Sequence, residues 1–520
     1  MRHTHQIAVG VLLLVGVTTA ACGGAGSPGG TTAEGDPARR HLLIVLDGLR
    51  PDYVTPELMP TLHALGRRGV IMTRHHAVYP TVTRVNASSI STGAYPDVHG
   101  LMGNSIFVPS VDPGRFLDTG DRANLLRVEA VTRGPLLTAT TLGELLQGAG
   151  ERLLVASSGS TGSSYLLNHR VAGGAILHYD YGLPETLHDQ ALERLGDVPD
   201  AGTPNDARNR WIVDAFLQVG LAAIDPAVTL MWLSDPDTTA HQHGIGHPTT
   251  VEALTRLDGE IQRIQDGLAD AGLLDTTNIW VASDHGFSQH TGSVDLGDLL
   301  APFAGTLDDG SPRIVAGAGA IYVRDDDQTT VAEIVAVLQQ ADGVGAVFTR
   351  AASRGATEGW VSGTLSFDLA HWDHERSAQI LYSPDWTDAV GEYGYPGTSA
   401  QGGVAGHGST SPFDIHNTLV AVGPDLKAGV EIDVPSGNVD FAPTFLHLLG
   451  IDVPSSMQGR VLHEVLRGGP DPTEVAVETM EVRVENEDGS YVLTAVSSVV
   501  EGRSYLDYTT VERRGQSGGR

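Results

Sequence analysis

With 520 residues, 41% hydrophobic and 18% charged, the chain is long enough for one large α/β domain with insertions or for two domains, and too apolar to be disordered throughout. Its formal net charge of -31 excludes nonspecific nucleic-acid binding, which needs a basic footprint. It also means that an anionic substrate requires a local source of positive charge, such as bound metal ions.

The N-terminus reads as an export signal. Arg2 precedes an apolar stretch, Val9 to Val17, that is too short to span a bilayer, and small residues Thr18 to Ala21 follow. Cys22 is the only cysteine, so no internal disulfide is possible. Thr19-Ala20-Ala21-Cys22 resembles a bacterial lipobox. That resemblance implies removal of residues 1–21, lipidation of Cys22 and attachment to the outer face of the cell membrane. Ordinary cleavage near Ala21 would instead give a secreted chain with a free thiol. Residues 22–39, rich in Gly, Ser, Thr and Pro, are predicted to be a flexible tether.

Beyond the tether, strand and helix signals alternate. This pattern predicts an α/β fold: a largely parallel sheet sandwiched by helices. Leu42–Leu46 is the first strand and Glu57–Gly69 a helix, with Leu58, Leu62 and Leu65 on one face. A helix begins at Thr141–Leu146, and Leu153–Ala156 is a second central strand. Residues 208–223 are predicted helical and lead into the strand Val228–Leu233. Thr249–Gly272 is the clearest helix, because Val251, Leu254, Leu257, Ile261, Ile264 and Leu268 recur at three- and four-residue spacing. The strand Asn278–Ser283 follows. Across 305–400 the expected elements are strands at 321–323 and 379–382 and a helix at 330–340. A strand at Thr418–Val422 and a helix at Val439–Leu449, stopped by Gly450, come next. From Glu481 the pattern alternates, with Asp488-Gly489 and Glu501-Gly502 as hairpin signals, which predicts a small antiparallel C-terminal appendage. The expected organisation is a signal peptide (1–21), a lipidated tether (22–39), a catalytic domain (40–468) and the β appendage (469–520).

Three strands end in acidic residues and histidines. Leu42–Leu46 ends in Asp47, Val228–Leu233 runs out into Asp235, Asp237 and His241, and the third ends in Asp284-His285. Ligands of open α/β sheets gather beyond the carboxyl ends of the strands. Asp237 and His241 are four residues apart, so a helical turn places both on one face. His407 lies in Gly406-His407-Gly408-Ser409, where glycines allow close backbone approach. Imidazole mixed with carboxylate suits zinc and its neighbours better than calcium. Asp47, Asp237, His241, Asp284, His285 and His407 are therefore candidate metal ligands, with Asp235 a rival to Asp237.

At Tyr79-Pro80-Thr81-Val82-Thr83-Arg84 and Thr92-Gly93 to Gly100 the pattern becomes specific. The chain resembles the nucleotide pyrophosphatase/phosphodiesterase family of the alkaline phosphatase superfamily. The likeness is carried by Asp47-Gly48-Leu49-Arg50, Pro80–Thr83, Thr92–Gly100, Pro236–Gly244, Ser283–Gly286 and the element around His407, all in family order. The resemblance implies an alkaline phosphatase-like fold and two zinc ions. One zinc would be held by Asp237, His241 and His407, the other by Asp47, Asp284, His285 and the nucleophile Thr83. It implies a phosphothreonine intermediate, with Thr83 attacking phosphorus, and Asn104 as the amide that stabilises a phosphoryl oxygen. Thr81 is the rival nucleophile. A metal-activated hydroxyl and a two-metal clamp agree with general phosphoryl-transfer chemistry.

Arg84 follows the nucleophile, where nucleotide-hydrolysing members commonly carry an aromatic residue. A guanidinium there could pair bidentately with a second anionic group on the substrate. The expected partner is an anionic phosphoester or phosphonate small molecule. Two further readings are phosphonoacetate-hydrolase-like C–P cleavage and a catalytically silent, lipid-anchored binding protein. A sulfatase is disfavoured, because Gly48 follows Asp47 and Cys22 lies in the export segment.

Overall fold

The computed structural model describes residues 40–132 and 134–514. Residues 1–21, Cys22 and the tether 22–39 lie outside the described residues. The all-apolar runs form the middle of a ten-stranded sheet. Its order is Val430–Ile432, Val70–His76, His416–Val422, Thr277–Ala282, Arg40–Leu46, Val228–Leu233, Leu153–Ser157, Ala175–His178 and Gly182–Leu183, with Ser436–Gly437 beside Val70–His76. The central strand Arg40–Leu46 pairs in parallel with both neighbours, whereas His416–Val422 runs antiparallel to its own. Alternate residues of one strand enter opposite cores: Leu43 and Val45 face one apolar cluster, Leu42, Ile44 and Leu46 the other. A sheet covered on both faces needs such continuous apolar strands. This is the helix-sandwiched, largely parallel sheet expected from the sequence.

Helices cover the sheet. The long helix Pro248–Asp270 buries Leu254, Leu257, Ile261, Ile264 and Leu268, five of the six stripe residues. Its Asp258 carboxylate accepts from the backbone N–H of Thr61 and Leu62 at 3.0 and 2.9 Å, capping the helix Pro60–Arg68. That helix starts three residues later than 57 because Pro60 suits a first helical position. The helix expected at 208–223 is Asp206–Ala215, a π-helical turn Phe216–Gly220 and Leu221–Ile224.

Two inserted sheets flank the carboxyl edge. Five strands in the order Ile314–Gly317, Ala320–Val323, Ile380–Pro384, Val344–Thr349 and Leu365–Ser366 pack against the helix Gln328–Gln340. Trp386–Val390, Pro396–Ser399, Ser288–His290 and Ala405–Gly406 form a second sheet, which delivers His407. At the C-terminus, Val477–Glu485, Tyr491–Val500 and Arg503–Arg513 make the antiparallel appendage. Both turns use positive φ, at Gly489 (68°), and at Glu501 (52°) and Gly502 (74°). Tyr491, Leu493 and Tyr505 join the main core, and the Tyr491 hydroxyl donates to the Gly345 carbonyl at 2.7 Å. Among the described residues, no helix is long and apolar enough to cross a membrane.

Candidate metal centre

The parallel registers pair Leu46 with Leu233 and Val45 with Ala282, so the three acidic strand ends meet at one edge of the sheet. Their side chains fall into two sets. His285 Nε2 lies 3.1 Å from Asp284 Oδ2, 3.5 Å from Asp47 Oδ1 and 3.3 Å from Thr83 Oγ1. Asp237 Oδ1 lies 3.1 Å from His241 Nε2 and 3.3 Å from His407 Nε2. The sets adjoin, because the His285 and His407 rings stack with centroids 3.4 Å apart. All six candidate ligands and Thr83 are thus brought together.

Local structure explains each placement. Asp237 opens the short helix Asp237–His243, and His241 stands one turn later on the same face. Thr83 is the first residue of the helix Thr83–Thr92, at the end where the helix field favours negative charge. His407 is half-buried between Gly406 and Gly408. A Cβ on Gly406 would stand 2.6 Å from the His290 ring and 3.1 Å from the His241 ring, so only glycine fits there. Gly408 adopts φ 113°.

All three histidines spend Nδ1 on main-chain carbonyls: His241 on Ala405 (2.9 Å), His407 on Thr81 (2.8 Å) and His285 on Gly286 (2.9 Å). A carbonyl only accepts, so each Nδ1 carries a proton and Nε2 faces the centre. Trp232 Nε1 donates to Asp47 Oδ2 at 2.9 Å and the Gly48 N–H to Asp284 Oδ1 at 3.1 Å. The opposite oxygens, Asp47 Oδ1 and Asp284 Oδ2, are buried without a hydrogen bond, as is Asp237 Oδ1. Orphaned buried carboxylate oxygens facing imidazole Nε2 atoms fit divalent cations.

The electrostatics describe the same deficit of positive charge. Burial raises the Asp47 carboxyl well above its usual range, and Asp284 and Asp237 add repulsion. Burial likewise pushes Asp284 up to about 7, with Asp237 adding to it. Asp237 is held low against the effect of burial by His241 and His407. Burial opposes charge on His241, but Asp237 lifts it to about 9. Burial and His407 keep His285 neutral.

The rivals serve the scaffold. Thr81 Oγ1 donates to the Ser409 carbonyl at 2.8 Å, and Asp235 accepts from Asn205 N–H, Asn209 Nδ2 and Thr239 Oγ1. His243 and His247 stack on each other, centroids 5.0 Å apart. Asn104 Oδ1 accepts the Arg84 N–H at 2.9 Å. Asn104 and His407 line one cavity of about 360 Å³, together with Tyr382 of the five-stranded sheet and Gly319 in the turn between two of its strands. Arg84 Nη2 is 3.5 Å from Asp118 Oδ1, and its guanidinium occupies space that a side chain at Gly120 would fill. Trp232 was invisible as a site residue in the sequence, since a tryptophan within an apolar strand reads as core.

Comparison with known proteins places these features in a family. The family model for type I phosphodiesterase / nucleotide pyrophosphatase matches residues 41–404. Ectonucleotide pyrophosphatase/phosphodiesterase family member 1 of Rattus norvegicus is 25% identical over 430 residues, covering 82% of this chain and 42% of that protein. Venom phosphodiesterase CdcPDE of Crotalus durissus collilineatus is 26% identical over 252 residues, 48% of this chain and 26% of its own length. The chain therefore spans less than half the length of these curated relatives. Among solved structures, human ectonucleotide pyrophosphatase/phosphodiesterase 5 superposes with a TM-score of 0.57 at 17% identity, covering 83% of this chain and 100% of that one. An inactive murine form of the same protein in complex with AMP gives 0.56 at 17% identity, covering 80% and 96%. A family match that extends from the first strand of the central sheet to the approach of His407 makes the chain a member of the type I phosphodiesterase / nucleotide pyrophosphatase family.

Proposed function

We propose that the chain is a phosphodiesterase that uses Thr83 as nucleophile and two zinc ions. The observation that carries this reading is the pair of adjoining ligand sets, with the Thr83 hydroxyl 3.3 Å from a ligand atom of one of them. Asp237, His241 and His407 would hold one ion; Asp47, Asp284 and His285 would hold the other, completed by Thr83 Oγ1. When bound, the ions favour the alkoxide of Thr83 and neutralise the phosphoryl oxygens.

The side chains do the rest. Thr83 Oγ1 attacks phosphorus as its proton leaves, the bond to the leaving alkoxide breaks and that oxygen takes up a proton to depart as an alcohol, and a phosphothreonine ester forms. The start of the helix Thr83–Thr92 favours the developing charge at that position. Asn104, its Oδ1 occupied by the Arg84 N–H, offers its Nδ2 to a non-bridging oxygen. Water then attacks the ester, the P–Oγ1 bond breaks, and a phosphomonoester leaves while Thr83 regains its proton.

Arg84 shapes the substrate. Its guanidinium is partly buried beside the nucleophile, with Nε lacking a hydrogen bond. The murine relative is titled as a complex with AMP. Here the charged residue after the nucleophile favours a diester or phosphonate bearing a second anionic group. The same reading includes export: cleavage of residues 1–21, lipidation of Cys22, and a catalytic domain from 40 to 468 carrying the appendage 469–520.

The test is a panel of phosphodiesters, monoesters and phosphonates on wild type and Thr83→Ala. Hydrolysis of diesters by wild type, abolished by the substitution, supports the reading. Hydrolysis intact in Thr83→Ala removes the nucleophile assignment.

A further inference from the structure

A second group of metal-type donors lies on the same edge of the central sheet, two strands beyond the catalytic edge. His76 ends the strand Val70–His76, His416 begins His416–Val422, and the two are cross-strand partners. Asp507 comes from the C-terminal strand Arg503–Arg513. One candidate donor atom from each lies within 4.8 Å of the others.

Three features mark this group as built rather than incidental. First, His76 Nδ1 is 2.8 Å from the Ser436 carbonyl, so it carries a proton, and Nε2 faces inward, 2.9 Å from Asp507 Oδ1. This is the arrangement found on His241, His285 and His407. Second, Asp507 sits at a β-bulge: Val496 pairs with Tyr508 and Ser497 with Leu506, which leaves Asp507 as the extra residue. Bulges re-aim side chains, and this one directs the carboxylate onto the histidines. Third, the spacing fits an ion. Asp507 Oδ1 is 2.9 Å from His76 Nε2 and 3.9 Å from His416 Nε2. Ligand atoms around a tetrahedral ion with bonds of about 2.0–2.1 Å stand about 3.3–3.4 Å apart, the middle of that range.

A proton on His76 Nε2 would join only two of these three groups. The other Asp507 oxygen accepts from Ser498 Oγ at 2.7 Å, and the Arg74 guanidinium lies 3.5 Å from Oδ1. Arg74 offsets the carboxylate charge and limits affinity, and its Nη2 also donates to Ser498 Oγ. His76 and Asp507 are buried, while His416 is 28% exposed and gives an ion a way in.

We propose that His76, His416 and Asp507 bind a structural zinc ion that clamps the C-terminal sheet to the central sheet. Two neutral imidazoles and one carboxylate are a zinc-type donor set, with water completing four-coordination. The clamp joins segments 340 and 91 residues apart in the chain (76 to 416, and 416 to 507). It is independent of the catalytic reading, because none of its ligands belongs to the two sets around His285 and Asp237.

The experiment counts zinc. Full-length protein stripped with chelator is reloaded with Zn2+, and bound metal is measured per chain for wild type, His416→Ala, Asp507→Asn and His407→Ala. His416→Ala and Asp507→Asn should each bind one equivalent fewer than wild type and keep their phosphodiesterase activity. In a His407→Ala background, Zn2+ should still raise Tm, and adding His416→Ala should reduce that rise. His416 is partly exposed, so its truncation leaves the fold intact. Equal zinc content in wild type and His416→Ala, or a Zn2+-dependent Tm unchanged by that substitution, overturns the proposal.

Discussion

The backbone N–H of Arg84 donates to Asn104 Oδ1 at 2.9 Å, tying the residue after Thr83 to an amide that lines the cavity. One bond thus fixes which end of Asn104 is the donor. Asn104→Ala should lower kcat on a chromogenic phosphodiester by about 10²–10³-fold, the usual loss of one preorganised oxyanion donor, with little change in KM. Steady-state kinetics decide it; a KM effect alone would make Asn104 a binding residue.

Arg84→Ala should discriminate between substrates. Diesters with a second anionic group should lose about tenfold or more in kcat/KM, as expected for a lost charge-assisted hydrogen bond of about 1.5–3 kcal/mol. Neutral diesters should change little. Equal losses on both would assign Arg84 to general electrostatics around Thr83.

Trp232→Phe keeps the buried ring but removes the Nε1–H that orients Asp47 Oδ2. Loss of an outer hydrogen bond to a metal ligand typically weakens metal binding by about 10–100-fold. Competition with a chromogenic chelator measures this, and affinity identical to wild type would show that Asp47 needs no such support.

Acid should destabilise the protein through buried neutral histidines. Burial lowers His178 from 6.5 to about 4 and His99 to about 3. Because the unfolded chain protonates first, the stability these groups contribute is complete above pH about 6.5 and is lost as pH falls toward 4 and then 3. Each adds a slope of about 1.4 kcal/mol per pH unit within its window. Urea melts in chelator between pH 7 and 4.5 should give a shallower pH dependence for His178→Gln than for wild type, by about one such slope. Parallel curves would contradict a buried neutral His178.

The elements legible in the sequence were those whose side chains advertise one environment. Val228–Leu233 is apolar on both faces and reads as a buried strand, with the same bounds in the structure. Val70–His76 does not read as a strand: its polar residues Thr73, Arg74, His75 and His76 interrupt the apolar pattern, although it sits second in the main sheet. The helix Thr83–Thr92 escaped for another reason. Its buried Ser and Thr hydroxyls bond back to their own helix, Ser88 to the Arg84 carbonyl and Thr92 to that of Ser88, so no apolar stripe is needed. In the candidate centre, Asp47, Asp237, His241, Asp284 and His285 were visible as strand ends, whereas His407 depended on a short motif. His76, His416 and Asp507 carry no motif, because only the sheet register and a bulge bring them together.

The three imidazoles of the centre are steered by carbonyl oxygens of Ala405, Thr81 and Gly286. Such oxygens belong to the main chain, which every residue type supplies. At 405 the side chain can change while the backbone path is kept, whereas at Gly286 a Cβ would stand 2.0 Å from the Phe413 carbonyl, so that tether depends on glycine. The aim of the rings is therefore inherited with the fold, and drift in the surrounding sequence can change what enters the cavity while leaving the donor geometry intact.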